Sequence, residues 1–214
     1  MSTETSSAPP KPPPFAMLRS FTLPDLITLA NGFLGMGAVL AAMRYLLEKD
    51  EAYLKLSLGL LPFALIADFA DGRVARWRHK ASLMGQELDS LADIVSFGVA
   101  PAAVAFACGM QGGWDAVVLV FFVACGISRL ARYNVTAATL SDEAGKVRYF
   151  EGTPIPTSLG LVAVLAALFH YDRIGAALPF GESTLGPWRF HPLVLMYFVS
   201  GNLMISQRLR IPKP

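Results

Sequence analysis

The chain has 214 residues, of which 54% are hydrophobic and 16% charged, and its mean hydropathy is +0.47. Such values exclude an ordinary soluble domain and fit a small polytopic membrane protein with no second domain. A net charge of +2 is too small to argue for a nucleic-acid partner, and the two cysteines, Cys108 and Cys125, lie in apolar stretches where they read as buried free thiols.

Residues 1–16 are rich in Pro, Ser and Thr. They read as a disordered cytosolic lead, not a signal peptide, because no apolar core follows a basic start. Leu18–Phe21 suits a short interfacial turn or helix. Thr22 is a candidate cap for the next helix, with Pro24 and Asp25 in its first positions. Leu26–Met43 is an uncharged run and the first span, and Gly32, Gly35 and Gly37 allow another backbone to come close. Tyr53–Ala67 is the second. Its uncharged core, Leu56–Ala67, falls short of the roughly 20 residues a crossing needs, so the helix should carry Asp68–Arg76 on its cytosolic end. The third span follows Asp93 through about Cys108, and Gly109–Gly113 is a tight loop. The fourth runs from about Trp114 to Asn134, the fifth lies in Gly152–Tyr171 and opens at Pro156, and the sixth is Phe190–Gln207.

The expected fold is an all-α integral membrane protein of six transmembrane helices, with a catalytic domain over 17–209 and a cytosolic tail over 210–214. Thirteen Lys and Arg fall in the N-terminal lead, the 68–93 turn, the 129–150 link and the C-terminus; five fall in the opposite loops. That bias places both termini and the 68–93 turn at the cytosolic face.

The stretch 68–93 carries the chemistry. Asp68 and Asp71 are three residues apart, Asp89 and Asp93 four, so each pair shares one helical face. Both pairs sit at the mouths of membrane helices across a basic turn. Carboxylates near hydrocarbon need counter-charge, and four on converging helix ends repel unless cations lie between them. Hard oxygen ligands suit Mg²⁺ or Mn²⁺, with two ions expected. Such a pair of ions would grip a pyrophosphate and orient an in-line attack. Asp93 is also the candidate proton acceptor for an attacking hydroxyl. Gly72 lets a ligand approach the backbone, and Arg76 can fork onto a phosphate. Glu87 falls outside the pattern and reads as solvated or paired with a nearby Arg.

The full pattern is D-x2-D-G-x2-A-R-x8-G-x3-D-x3-D, with Gly72, Ala75, Arg76 and Gly85 all in place. It resembles the signature of the CDP-alcohol phosphotransferase family. The resemblance implies displacement of CMP from a CDP-linked lipid or alcohol. Asp68, Asp71 and Asp89 would ligate metal, and Asp93 would be both a ligand and the proton acceptor. Gly72, Arg76 and Ser82 would contact the CDP moiety. The stretch Pro24-Asp25-Leu26-Ile27-Thr28 looks like the family's P-[ND]-x-x-T opening, which adds Asp25 and Thr28 to the CDP-lipid contacts; plain helix-start chemistry explains them as well. Homologous enzymes are dimers, so a homodimer is expected, and the three glycines of the first span would permit such packing.

The acceptor lies outside the signature. Ile127–Asn134 resembles the R-L-A-R-[FY]-N stretch of the branch whose acceptor is L-serine, and Tyr149–Pro156 looks like its F-x-G-L-P-x-P turn, with Thr153 in place of Leu. The implied reaction transfers a phosphatidyl group from CDP-diacylglycerol to L-serine. Arg129 and Arg132 would hold the serine carboxylate or a lipid phosphate, or serve only as positive-inside anchors. The Gly-x-Pro-x-Pro turn serves either a substrate loop or the start of the fifth helix. Glycerol 3-phosphate or inositol phosphate is the alternative acceptor, with Lys146 and Arg148 as added basic groups. A divalent-cation transporter is the rival from another class. The expected location is the cell (inner) membrane, with the site at its cytoplasmic face.

Overall fold

A computed structural model describes residues 22–78, 83–140, 149–206 and 210–212. The lead over 1–16, the turn at Leu18–Phe21, Ser82, Lys146 and Arg148 lie outside the described residues.

The first helix, α1 (Leu23–Glu48), starts where the sequence places it. Thr22 is extended, and its backbone amide and hydroxyl both donate to Asp25 Oδ2, at 2.7 and 2.8 Å. The carboxylate thereby satisfies donors at the helix mouth. The helix ends at Lys49, which adopts a left-handed conformation (φ 58°) and donates its amide to Tyr45 O.

The second helix, α2 (Glu51–Arg78), runs unbroken past Pro62 and through Asp68 and Asp71 into the basic residues. Its charged end makes up the length that its apolar core lacks. The third rod begins before the span expected after Asp93, as α3 (Leu83–Asp93), and carries the second Asp pair one turn apart, as their spacing predicts. It continues through a π-helical turn, Ile94–Val99, into α4 (Ala100–Ala107). After a bend at Gly109 (φ 121°) comes α5 (Gly113–Leu140). Two shorter apolar helices follow, each entered by a 3₁₀ turn: Ile155–Ser158 leads into α6 (Leu159–His170), and Pro192–Val194 into α7 (Leu195–Ile205). A small hairpin, β2 (Ser183–Leu185) with β3 (Trp188–Phe190), fills the outer loop. Residues 210–212, expected as a tail, form β4 and pair with β1 (Tyr149–Glu151).

Among the described residues, four helices are long and apolar enough to cross a membrane: Leu23–Glu48, Glu51–Val74, Met84–Ala107 and Gly113–Thr136. Ile155–His170 and Pro192–Ile205 are shorter, so four of the six expected spans reach crossing length. Large apolar side chains such as Phe33, Leu47, Phe63, Ile66 and Val120 project outward, which suits lipid and not water. The chain is a mostly helical integral membrane protein.

The core lies where α1, α2, α4, α5 and α7 meet, around Leu54, Leu61, Phe97, Val104, Phe122 and Tyr197. Tyr197 meets Phe122 edge-on at 5.1 Å and donates its hydroxyl to Pro101 O. Gly152 (φ 72°) docks against Met204 O, and Ile155 packs beside Gly98 and Gly126. The Gly-x-Pro-x-Pro turn thus joins the start of the fifth apolar helix to the end of the last. At the opposite end, buried Asp115 receives the amides of Gly112 and His191, both at 2.8 Å, and faces His191 Nδ1 at 2.5 Å. This ties the outer loop to α5 and makes His191 structural.

The glycines of α1 lie against other helices of the same chain. A Cβ on Gly35 would collide with Ser96 Oγ and lie 2.6 Å from Ser96 Cα; one on Gly32 would touch Ala92. Close approach is as expected: Gly32 and Gly35 face the third rod of the same chain, and a Cβ on Gly37 would lie 3.3 Å from Leu60 on α2. Gly35→Ala is expected to destabilise by about 1–3 kcal/mol, because the clash falls on backbone. Gly59→Ala, which meets nothing within 4 Å, should be neutral or slightly stabilising. Thermal unfolding in detergent checks both; equal losses would show that the Gly35 contact is not tight.

Candidate active site and metal centre

Asp68 and Asp71 lie one turn apart on α2, and Asp89 and Asp93 one turn apart on α3. The two helices bring ligand oxygens of Asp68, Asp71 and Asp89 within 4.8 Å of one another. Asp93 stands beside this trio, within electrostatic range of all three. Asp71 and Asp93 are buried, Asp68 and Asp89 half-buried. Three of the four predicted carboxylates therefore cluster, with the fourth, Asp93, in electrostatic range.

The donor set fits a divalent cation. Asp89 Oδ1 is buried and has no hydrogen-bond partner among the described residues. An anionic oxygen left so is costly unless a cation completes it. Carboxylates alone at this spacing match the hard-oxygen preference of Mg²⁺ or Mn²⁺. A Cβ on Gly72 would meet nothing within 4 Å, so open space adjoins the Asp71 turn, as a ligand approaching the backbone requires.

The first helix holds the carboxylates from behind. Thr28 donates its hydroxyl to Asp71 Oδ2 at 2.7 Å and also lies 3.1 Å from Pro24 O. Asn31 donates Nδ2 to Asp93 Oδ1 at 3.2 Å. Thr28 thus reaches the metal cluster through Asp71, while Asp25 is engaged by Thr22 at the helix start. From the other side, Asn134 on α5 accepts from Ser90 Oγ at 3.1 Å and donates to Glu87 Oε2 at 3.2 Å. Among the described residues Glu87 is exposed and paired with the Asn134 amide, and the contact braces α3 beside Asp89.

Arg129 and Arg132 part company. Arg129 is half-buried and within electrostatic range of Asp93, and its Nε is buried with no hydrogen-bond partner among the described residues. Arg132 is exposed. Arg76 belongs to α2, but its side chain lies outside the described residues, as does all of Ser82. Sequence reasoning missed Asn31 and Ser90. Asn31 carried a readable signal: Thr28, Asn31 and Gly35 repeat at helical spacing, a polar and small stripe in an apolar helix.

The model of the CDP-alcohol phosphatidyltransferase family matches residues 21–197, and the chain belongs to that family. The chain is similar to the CDP-diacylglycerol–serine O-phosphatidyltransferase of Saccharomyces cerevisiae, 47% identical over 205 residues, which is 94% of this chain and 74% of the relative. It is similar to the protein of the same name from Mycobacterium leprae, 39% identical over 194 residues, 89% of this chain and 58% of the relative. The Helicobacter pylori protein of that name is 37% identical over 156 residues, 71% of this chain and 61% of the relative. The chain thus aligns with about three quarters of the yeast relative and with 58–61% of these two bacterial ones.

Proposed function

We propose that the protein transfers a phosphatidyl group from CDP-diacylglycerol to L-serine, giving phosphatidylserine and CMP. The observation that carries the reading is a carboxylate cluster with a buried guanidinium nitrogen of Arg129, Nε, that has no hydrogen-bond partner among the described residues and lies within electrostatic range of Asp93. The relatives' names support the donor and the acceptor.

Asp68, Asp71 and Asp89 would hold divalent cations, and Asp93 would complete the second site. Bound there, Mg²⁺ or Mn²⁺ supplies charge neutralisation on the pyrophosphate. The serine hydroxyl attacks the phosphorus that bears diacylglycerol, the P–O bond to CMP breaks, and Asp93 takes the hydroxyl proton. Gly72, Arg76 and Ser82 contact the CDP moiety. Asp25 and Thr28 are further contacts of the CDP-lipid, and the threonine hydroxyl also donates to Asp71. Arg129 receives the serine carboxylate by charge-assisted hydrogen bonds. The catalytic domain spans 17–209, and the site faces the cytoplasm, as the basic residues around it favour. The family resemblance implies a homodimer.

The test is purified protein with CDP-diacylglycerol, Mg²⁺ or Mn²⁺, and labelled serine, glycerol 3-phosphate and inositol phosphate in parallel. Labelled phosphatidylserine is expected. Product from glycerol 3-phosphate but not from serine would overturn the acceptor. With saturating donor, Arg129→Ala should raise the serine KM about 10- to 100-fold, the worth of one or two hydrogen bonds to a charged group. Arg132→Ala should change it far less; the reverse order would move the acceptor site.

A further inference from the structure

Asn31 is fully buried in α1, three residues past Thr28, and its amide reaches a carboxylate 62 residues away in sequence. Three contacts converge on that reach. Nδ2 donates to Asp93 Oδ1. The Asn31 backbone oxygen accepts Ser96 Oγ at 2.9 Å. Gly35, one turn on, lets the Ser96 backbone sit against α1. Ser96 lies in the π-helical turn that begins directly after Asp93. Such a turn carries one more residue than an α-helical turn, which resets the direction of the side chains before it relative to those after it. The direction of Asp93 therefore depends on how this turn is pinned, and Asn31 holds both Asp93, just before it, and Ser96, within it.

The bland alternative is an amide that merely glues two membrane helices together. An amide kept for glue satisfies both its ends. Here Oδ1 is buried with no hydrogen-bond partner among the described residues, a costly state for a polar atom. The arrangement gives up one hydrogen bond to place the donor on Asp93.

We infer that Asn31 is a positioning residue for the transfer reaction: its amide fixes Asp93 Oδ1, so that Oδ2 is the oxygen presented to the acceptor hydroxyl. This rests on the role proposed for Asp93. Near-attack geometry is sensitive to small displacements, and a misplacement of about 1 Å costs on the order of 100-fold in rate.

The experiment is steady-state kinetics of Asn31→Ala and of the nearly isosteric Asn31→Leu, alone and combined with Asp93→Asn. Each single variant should lower kcat about 10- to 100-fold with the KM for serine and for CDP-diacylglycerol unchanged. In the Asp93→Asn background the same substitutions should have no further effect, because the group they position is gone. Asn31→Leu keeps the side-chain volume, so it serves if Asn31→Ala does not fold. A loss of the same size in both backgrounds, or a fall in unfolding temperature with kcat intact, overturns the inference. Failure of the underlying reading looks different: the unsubstituted protein would release no CMP on adding serine.

Discussion

Asp93→Asn is expected to cut serine-dependent CMP release by about 10²- to 10⁴-fold, the usual contribution of a positioned proton acceptor. The substitution keeps the shape of the side chain and still offers Asn31 Nδ2 an oxygen to bond. It removes the basic oxygen and weakens one cation ligand. Asp68, Asp71 and Asp89 remain within 4.8 Å of one another, so donor binding should survive. Circular dichroism and the unfolding temperature should stay close to those of the unsubstituted protein. Turnover within a few-fold of normal would refute the proton-acceptor role.

Asp68→Ala is expected to abolish metal-dependent binding of CDP-diacylglycerol, and its stability effect should change sign with the metal. In excess Mg²⁺ or Mn²⁺ the unsubstituted protein gains the free energy of ion binding, about 2.7 kcal/mol at a hundred times Kd. A site reduced to two of its three clustered carboxylates loses most of that gain. In chelator the carboxylates face one another with nothing between them. A pair of unit charges 4 Å apart near a protein surface repels by about 4 kcal/mol. Removing Asp68 relieves part of that repulsion, so the variant in chelator should match or exceed the unsubstituted protein in unfolding temperature. A variant destabilised equally with and without metal would mark Asp68 as a packing residue instead.

Much of this site was legible before the fold. Two Asp pairs at helical spacing beside apolar runs already imply converging ligands, and the structure brings them together. The apolar runs also located α1, the body of α2 and α5. The start of the third rod was not legible, because an apolar-run criterion stops at charge. Leu83–Asp93 is a helix that carries Asp89 half-buried and Asp93 buried toward the carboxylates of α2. The π-helical turn left no mark in the uncharged stretch 94–99. The glycines of α1 announced a close approach without naming the partner, since a small-residue face serves a neighbouring helix and a second copy equally. Glu87 and Asn134, and Asp115 and His191, meet across 47 and 76 residues, and local pattern is silent on such pairs. Arg129 and Arg132 looked equivalent at spacing three; only burial separates them.

Anomalous scattering from Mn²⁺ in crystals of the purified protein grown with CDP-diacylglycerol reads the metal centre directly. Density is expected among the carboxylate oxygens of Asp68, Asp71 and Asp89, with a second peak toward Asp93, next to the donor's phosphates. Ordered CDP-diacylglycerol with no manganese among those side chains, or manganese held elsewhere, would contradict the carboxylate cluster as the seat of phosphatidyl transfer.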